Sequence, residues 1–257
     1  MADSELQNLT EDTAPASGDI VCVVVDPAGT PLARKMTVDN LGILDGWVPD
    51  GGTWTYASAS TFTVPTNLTA RFGKGTELRL VQTSAKYFYV TSSSYGAPNT
   101  TVTVTGGTDF TLANAAITAP FYSYAECPQG FPDWFNYIST PVGYETSPTN
   151  VSHRFCIKGT TVFVHLSETT LGVSNLTTKT YTLPVAAKTV SNKTWSGVIT
   201  ASVDNNTNAF LGVWAIASAG TIVTCYKPSF LTWTNSGNCM VWGVSTVPYG
   251  TMLEYEM

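Results

Sequence analysis

The sequence predicts an all-β protein, and three observations support that prediction. Only 12% of the 257 residues are charged, whereas 43% are hydrophobic. Thr, Ser, Asn and Gly fill much of the remainder, which suits strand surfaces and tight turns better than exposed helices. Short segments alternate apolar and polar residues with a period of two, and breaks with Gly or Pro separate them. We therefore expect almost no helix and either one large β core or two to three small ones.

Residues 1–45 are predicted to be an acidic leader with one β-hairpin. The first 50 residues contain nine acids against two bases, Arg34 and Lys35. The run IVCVVV at residues 20–25 is followed by a Pro- and Gly-containing turn and a second strand pattern, which together indicate a hairpin. Because an isolated hairpin is marginally stable, we expect this leader to become ordered against a partner surface or another copy of the chain.

Residues 46–130 are predicted to form a small antiparallel β barrel or sandwich. Alternating strand patterns occupy residues 61–64, 78–82, 86–90 and 101–105. Glycine-rich breaks separate them, as in an antiparallel meander. This region is the expected middle β domain.

Residues 131–257 are predicted to form a jelly-roll-like β sandwich. The aromatic stretch at residues 131–137 resembles a linker in its position between two strand-rich regions. The strand patterns that follow occupy residues 161–166, 197–203, 210–216, 221–225, 240–244 and 251–256. With shorter segments they make about eight strands, the number found in a jelly roll. We expect the chain to end within a strand of this sheet.

The distribution of charge argues against two classes of partner. After residue 50, nine acids face ten bases, so no basic stripe is available for a phosphate backbone, and we expect no nucleic-acid binding. The N-terminus has neither a basic nor an apolar signal region, and no later run approaches about 18 apolar residues. We expect no signal peptide, no transmembrane helix and no membrane insertion.

The sequence contains no pattern typical of a metal centre or a catalytic site. The five cysteines are widely spaced, without a C-x-x-C pair and with two histidines, His153 and His165, which predicts free buried thiols in a protein made in a reducing cytosol. A glycosidase needs two carboxylates about 5–10 Å apart, and we expect the acids of the last region to be turn and edge residues. These acids are Asp133, Glu145, Glu168, Asp204, Glu254 and Glu256. We expect no enzyme activity, no catalytic residue, no metal and no cofactor, and we rank glycan degradation as a third alternative.

Two parts of the sequence resemble virion proteins of tailed bacteriophages. Residues 9–15 (LTEDTAP), 25–31 (VDPAGTP) and 34–41 (RKMTVDNL) resemble the leader of many tail and head-fibre proteins. Segments between residues 53 and 107, including TWTYAS, YFYV and PNTTVTVTGG, resemble a β module of phage and prophage structural proteins. The resemblance covers residues 1–130 well and the remainder more loosely.

The resemblance implies a polarity for the chain. The leader would tether the protein to the virion, through a tail adaptor or portal-proximal protein or through a capsid protein, and the distal β region would face the host. We name Asp19, Asp26, Arg34 and Lys35 as candidate attachment residues. The expected protein is a homotrimeric tail spike or fibre, made in the host bacterial cytoplasm and located on the virion exterior. A capsid decoration or head-fibre protein remains the alternative.

Candidate receptor-binding residues lie in polar loops of the last region. Trp233 stands in the segment SFLTWTNSGN, where an aromatic ring beside amides would stack on a host-surface sugar or a protein epitope. Asn235, Asn238 and Tyr249 are the accompanying candidates. A second interpretation, in which this loop is simply packed on the domain surface, remains open. Trp214 and Trp242 have aliphatic neighbours and are expected in the core or on a trimer axis.

Overall fold

The expected all-β class is confirmed by the computed structural model. It describes residues 20–25, 32–37, 45–147, 151–168, 172–175, 178–204, 208–226, 238–240 and 251–257. These residues form strands and no helix, and every strand pair is antiparallel. None of the sheets closes into a barrel, so the barrel alternative for the middle region is wrong. The described part of the chain contains no helix that could cross a membrane.

The leader contains the expected hairpin. Strands β1 (Ile20–Val25) and β2 (Leu32–Thr37) pair antiparallel, with Ile20 opposite Thr37 and Val25 opposite Leu32. This hairpin forms a two-stranded sheet of its own.

The middle region is a single seven-stranded sheet. Its strands are β3 (Val48–Pro49), β4 (Thr55–Ser58), β5 (Thr61–Pro65), β6 (Glu77–Gln82), β7 (Ser84–Gly96), β8 (Asn99–Thr105) and β9 (Thr118–Ser123). They lie in the order β3-β9-β6-β7-β8-β5-β4. Strands β6, β7 and β8 follow one another in the sequence and are neighbours in the sheet, as a meander requires.

One face of the seven-stranded sheet buries a compact apolar core. Phe62, Leu78, Phe88 and Val102 are fully or almost fully buried there, because side chains of alternate residues point to the same face. Trp54 lies parallel to Phe62, with ring centroids 4.4 Å apart. Burial of aromatic and branched side chains on one face therefore stabilises the middle region.

The described residues from 131 onwards form twelve strands, some of them only two or three residues long. They are β10 (Phe135–Asn136), β11 (Pro141–Val142), β12 (Tyr144–Thr146), β13 (Val151–Lys158), β14 (Thr161–Glu168), β15 (Gly172–Ser174), β16 (Lys179–Thr182), β17 (Thr194–Asp204), β18 (Asn208–Ala217), β19 (Ile222–Tyr226), β20 (Asn238–Met240) and β21 (Thr251–Glu256). Four form the sheet β10-β13-β14-β21, and eight form the sheet β11-β16-β19-β18-β17-β20-β15-β12. The expected strand number was too low because two-residue and three-residue strands leave no alternation in the sequence.

These two sheets share one hydrophobic core. The four-stranded sheet contributes Phe155 and Leu253, and the eight-stranded sheet contributes Tyr181, Ile216 and Val223 to the same buried cluster. The last strand, β21, pairs with β14, which confirms that the end of the sequence lies within a sheet. Residues 131–257 therefore bury apolar side chains between two sheets, as in a sandwich.

The aromatic stretch expected to act as a linker is instead part of the core. Tyr89 of the middle sheet lies 5.0 Å from Phe131 and 5.3 Å from Phe135, measured between ring centroids. Phe135 in turn lies 5.8 Å from Phe155. The linker interpretation was wrong because these rings bury more apolar area in contact with both neighbouring regions than an exposed connection would.

Two glycines allow the middle region and the following region to approach closely. A Cβ atom at Gly75 would lie 1.7 Å from the carbonyl oxygen of Gly159, and one at Gly107 would lie 2.0 Å from that of Asn136. Both glycines have positive φ, which other residues rarely adopt. The two regions are therefore in backbone contact at two separate points.

Candidate functional site

Most of the residues that the sequence singled out lie outside the described part of the chain. Trp233, Asn235, Tyr249, Asp19 and Asp26 are in this group, as is Trp242. Asn238 is the first residue of β20, where its backbone pairs with that of Val173. Arg34 and Lys35 lie in β2. The receptor-binding and attachment roles of these residues stay predictions.

A cleft lies where the middle sheet meets the sandwich, and we call it the junction cleft. It has two adjoining lobes of about 300 and 380 Å³, which share Glu77, Glu126, Ile157 and Lys158. Tyr89, Phe131 and Trp134 line the first lobe. The cleft therefore combines aromatic walls with ionisable groups contributed by both regions of the chain.

Glu77 is the most perturbed group of the junction cleft. Its residue is only 4% exposed, and its Oε2 atom is buried without a hydrogen-bond partner among the described residues. Burial, together with the nearby Glu126 carboxylate, raises the pKa of Glu77 to about 8. Glu77 is therefore largely protonated at neutral pH, and a buried acid with a strongly shifted pKa in a cleft is a typical mark of a functional site.

The rim of the junction cleft is crossed by an ion pair. Lys158 Nζ lies 3.0 Å from Glu126 Oε1, and both side chains are more than half exposed. Hydrogen bonding to Glu126 raises the pKa of Lys158. An exposed pair of this kind contributes little to stability, so its main effect is to keep the Lys158 charge close to Glu126.

Two cysteines and a tryptophan complete the first lobe. The thiols of Cys127 and Cys156 are free, with Cys156 buried and Cys127 exposed. Cys225 is also buried, so the expectation of buried cysteines fails only at Cys127 among these three, and Cys127 lies in the connection after β9 rather than in a strand. The Arg154 guanidinium lies 5.5 Å from the ring centroid of Trp134.

A second groove of about 460 Å³ lies between β17 and β21. Trp195 and Trp214 line it with Glu254 and Glu256, and both tryptophans are largely buried, which confirms the core assignment of Trp214. The Glu256 carboxylate already pairs with Lys188 at 3.4 Å and with Lys193 at 3.6 Å. The Glu256 carboxylate is therefore engaged by two lysines at the edge of the groove.

The eight-stranded sheet presents an outer side that we call the uncharged face. Its members share an outward position on β11, β16, β17, β18 or β19, partial or full exposure, and the absence of charge. They are Val142, Thr180, Thr182, Thr194, Ser196, Val198, Val213, Ala215, Ala217, Ile222, Thr224 and Tyr226. Within these described strands the alternate residues, such as Tyr181 and Trp214, point into the core.

The uncharged face is continuous across five strands. Val142 is opposite Thr180, which is opposite Thr224, and Thr224 is followed across the sheet by Ala215 and Ser196. Val142 and Val198 are 55% and 56% exposed, so large apolar side chains remain open to solvent. A broad surface of this kind is typical of a protein contact.

The two histidines form no catalytic arrangement with the described residues around them. His153 is buried beside the rings of Tyr137 and Tyr181, both of its ring nitrogens lack a hydrogen-bond partner, and burial lowers its pKa to about 4. Burial also lowers the pKa of His165. His153 is a core histidine. No group of three or more His, Cys, Asp or Glu residues in the described ranges could hold a metal ion.

The sequence analysis missed both Glu77 and the uncharged face as candidate sites. Glu77 stands in an alternating segment with Leu78 and Leu80, which predicts only that it faces away from their core. The signal that could have marked the uncharged face is the absence of charge at alternate positions of several strands. Comparison of the chain with protein-family models, with curated proteins and with solved structures gives no match.

Proposed function

We propose that this protein is a homotrimeric structural protein of a phage virion, a tail spike or tail fibre, that mediates binding to a host receptor. The resemblance of residues 9–15, 25–31 and 34–41 to virion-attachment leaders supports the phage assignment. The observation that carries the assembly is the uncharged face of the eight-stranded sheet.

The uncharged face suits contact between copies of the same chain. The excess of negative charge lies in the first 50 residues and the remainder of the chain is nearly neutral, so copies can approach through this face, which brings no charge to the contact. Its valines, Ile222 and Tyr226 supply apolar area, and its threonines and alanines keep the surface shallow enough for close packing. Three copies around a closed axis would cover these faces together.

The expected jelly-roll-like sandwich is part of this proposal. The shared core of the four-stranded and eight-stranded sheets supports a sandwich, the class to which the jelly roll belongs. In this proposal the sandwich is the distal, host-facing part of the spike, and the leader hairpin attaches to the tail or capsid protein.

Host recognition is assigned to loops of residues 131–257 and to the start of β20, with Trp233, Asn235, Asn238 and Tyr249 as candidates. The near-neutral balance of charge after residue 50 supports recognition by shape and aromatic stacking, with little long-range steering. Several trimers on one particle would combine weak single contacts into strong adsorption. The receptor would be a host-surface glycan or protein, and the chain would act as a binding protein with no enzyme activity.

Particle imaging tests the proposed role. Virus particles are labelled with an antibody raised against residues 131–257 and examined by electron microscopy. Label at the tail supports the spike or fibre, whereas label over the capsid replaces it with the head-fibre or decoration alternative. Unlabelled particles whose proteins include this chain in denatured form would contradict an exterior location.

A further inference from the structure

We propose that Cys127 and Cys156 form a disulfide bond when the chain meets an oxidising environment, and that this bond joins the middle region to the sandwich. The oxidant would be a low-molecular-weight disulfide such as oxidised glutathione. In a reducing cytosol both side chains stay thiols. The bond is a property of a single chain, so it goes beyond the proposed function and does not depend on it.

The two thiols lie in the first lobe of the junction cleft. Cys127 follows β9 of the middle sheet, and Cys156 lies in β13 of the four-stranded sheet, 29 positions later in the sequence (127 to 156). Both are free, and both line the lobe of about 300 Å³. No other cysteine of the described residues lines this lobe. Each of the two thiols therefore has the other as its neighbouring sulfur.

The outward side of β13 explains why Cys156 belongs to the cleft. Phe155 and Ile157 of this strand point into the core of the sandwich. Cys156 alternates with them, so its side chain points away from that core. It is nevertheless only 6% exposed. Its cover is therefore supplied by residues that line the first lobe with it, among which are Cys127 and Trp134.

Two contacts hold the segment that carries the other cysteine against this side of β13. Lys158 Nζ lies 3.0 Å from Glu126 Oε1. The Arg154 guanidinium lies 5.5 Å from the ring centroid of Trp134. Arg154 precedes Cys156 by two positions and Lys158 follows it by two, so all three share one side of the strand. The segment from Glu126 to Trp134 is therefore anchored on both sides of Cys156, and the second cysteine directly follows the anchored Glu126.

The two cysteines differ in reactivity in the way that a stepwise oxidation needs. Cys127 is exposed, so a soluble disulfide can reach its sulfur. Burial raises the pKa of Cys156, while the nearby Lys158 ammonium group lowers it. Cys156 is therefore protected from direct attack by a solute and reacts with a sulfur that is already held in the cleft.

The oxidation consists of two thiol–disulfide exchanges. The Cys127 thiolate attacks one sulfur of oxidised glutathione, the S–S bond of glutathione breaks, and one glutathione thiolate leaves. Cys156 then loses its proton to the buffer and attacks the Cys127 sulfur, which releases the second glutathione thiolate. The two thiols of the chain are oxidised to one disulfide, and one oxidised glutathione is reduced to two molecules of glutathione.

Peptide mapping after oxidation tests the inference. The full chain is incubated with oxidised glutathione, its remaining thiols are alkylated, and the unreduced digest is analysed by mass spectrometry. We expect a cross-link between Cys127 and Cys156, with the loss of two hydrogen atoms and without retained glutathione, in protein that runs as a single chain on a non-reducing gel. A cross-link between two chains, glutathione retained on Cys127, or two unreacted thiols would each overturn the inference.

Three serine variants assign a role to each sulfur. Cys156→Ser removes the second exchange, so glutathione should remain attached to Cys127. Cys127→Ser should leave Cys156 as a free thiol. Cys22→Ser, in the separate leader hairpin, is the matched control and should form the cross-link as the wild type does. Loss of glutathione from Cys127 in a folded Cys156→Ser protein would show that a different thiol completes the reaction, and would overturn the pairing.

The bond should also raise the melting temperature of the chain. A cross-link between two segments restricts the unfolded chain, and we expect a rise of roughly 5–10 °C. Thermal melting of the oxidised protein with and without a reductant measures this shift, and Cys156→Ser should show none. A cross-linked protein that melts no higher than the reduced one would overturn a bond that joins the two regions in the native fold, while the mass of the assembled protein tests the proposed function separately.

Discussion

The uncharged face and the junction cleft differ in what each leaves unsatisfied. The face exposes apolar side chains such as Val142 and Val198 without any charge, whereas the cleft buries an acid, Glu77, without a partner for one of its oxygens. Apolar area is stabilised by any complementary surface of similar extent, including another copy of the chain. A buried acid needs a specific donor at one point. The first surface therefore suits self-assembly, whereas the cost at the second is local and depends on the protonation of Glu77.

A charge placed in the uncharged face should have the largest effect of any change considered. Ala215 lies near the centre of the face, between Thr224 and Ser196. In Ala215→Glu, assembly would bury an unpaired carboxylate in each subunit contact, which costs several kcal/mol. We expect the trimer to dissociate to monomers at micromolar concentration. Ser94→Glu, on an exposed position of β7, is the control and should leave the light-scattering mass unchanged.

Removal of a buried acid that does have partners should destabilise the chain. Asp50 is 6% exposed and accepts hydrogen bonds from Trp54 Nε1 at 2.5 Å and from Arg71 Nη1 at 2.8 Å. Asp50→Ala leaves both donors without their acceptor, and we expect it to lower the free energy of unfolding by about 2–4 kcal/mol. Chemical denaturation measures this change. A loss below about 0.5 kcal/mol would show that water replaces the carboxylate.

Replacement of the unpartnered acid, Glu77, should raise the free energy of unfolding instead of lowering it, and the size of this effect should depend on pH. Folding raises the pKa of Glu77 from 4.5 to about 8. The stability that the protonated carboxyl group contributes is therefore fully present below pH 4.5 and is lost as the pH rises towards 8. Glu77→Gln cannot ionise, and we expect it to be more stable than the wild type by roughly 2–4 kcal/mol at pH 8 and about equal to it near pH 4.5. Denaturant titrations at the two pH values provide the test. Equal stability at pH 8 would contradict the raised pKa.

Deletion of residues 1–45 should have the smallest effect on folding and assembly. The leader contains one hairpin, whereas the uncharged face and both larger cores lie after residue 45. We expect the truncated protein to remain a folded trimer that no longer joins the virion. Light scattering and incorporation into particles measure the two properties. Loss of the trimer would make the leader an assembly element.

The predictable part of the fold is the part encoded by local alternation. Thr61–Pro65 and Thr161–Glu168 form strands where apolar and polar residues alternate, and Leu78 and Leu80 face a core as expected. Strands of two residues, such as β10 and β11, carry no such pattern. Their position depends on pairing with strands that are distant in the sequence, which a single sequence does not specify.

The candidate site was harder to predict because its burial is a long-range effect. Alternation places Glu77 on the side of β6 opposite Leu78, a side that would face solvent in an isolated sheet. Residues of β13 and the aromatic stretch at 131–137 cover that side, and they follow Glu77 by more than fifty positions. The same misjudgement made Phe131 and Phe135 look like parts of a linker. For both Glu77 and the aromatic stretch, the missing information was that the middle sheet packs against residues 131–137.

The mass of the purified chain in solution tests the central claim most directly. Multi-angle light scattering is measured on the full chain at micromolar concentration and at two salt concentrations, because an uncharged contact should be insensitive to salt. The proposal predicts three times the mass of one chain at both salt concentrations. A monomer under these conditions, with native stability confirmed by thermal melting, would contradict assembly through the uncharged face.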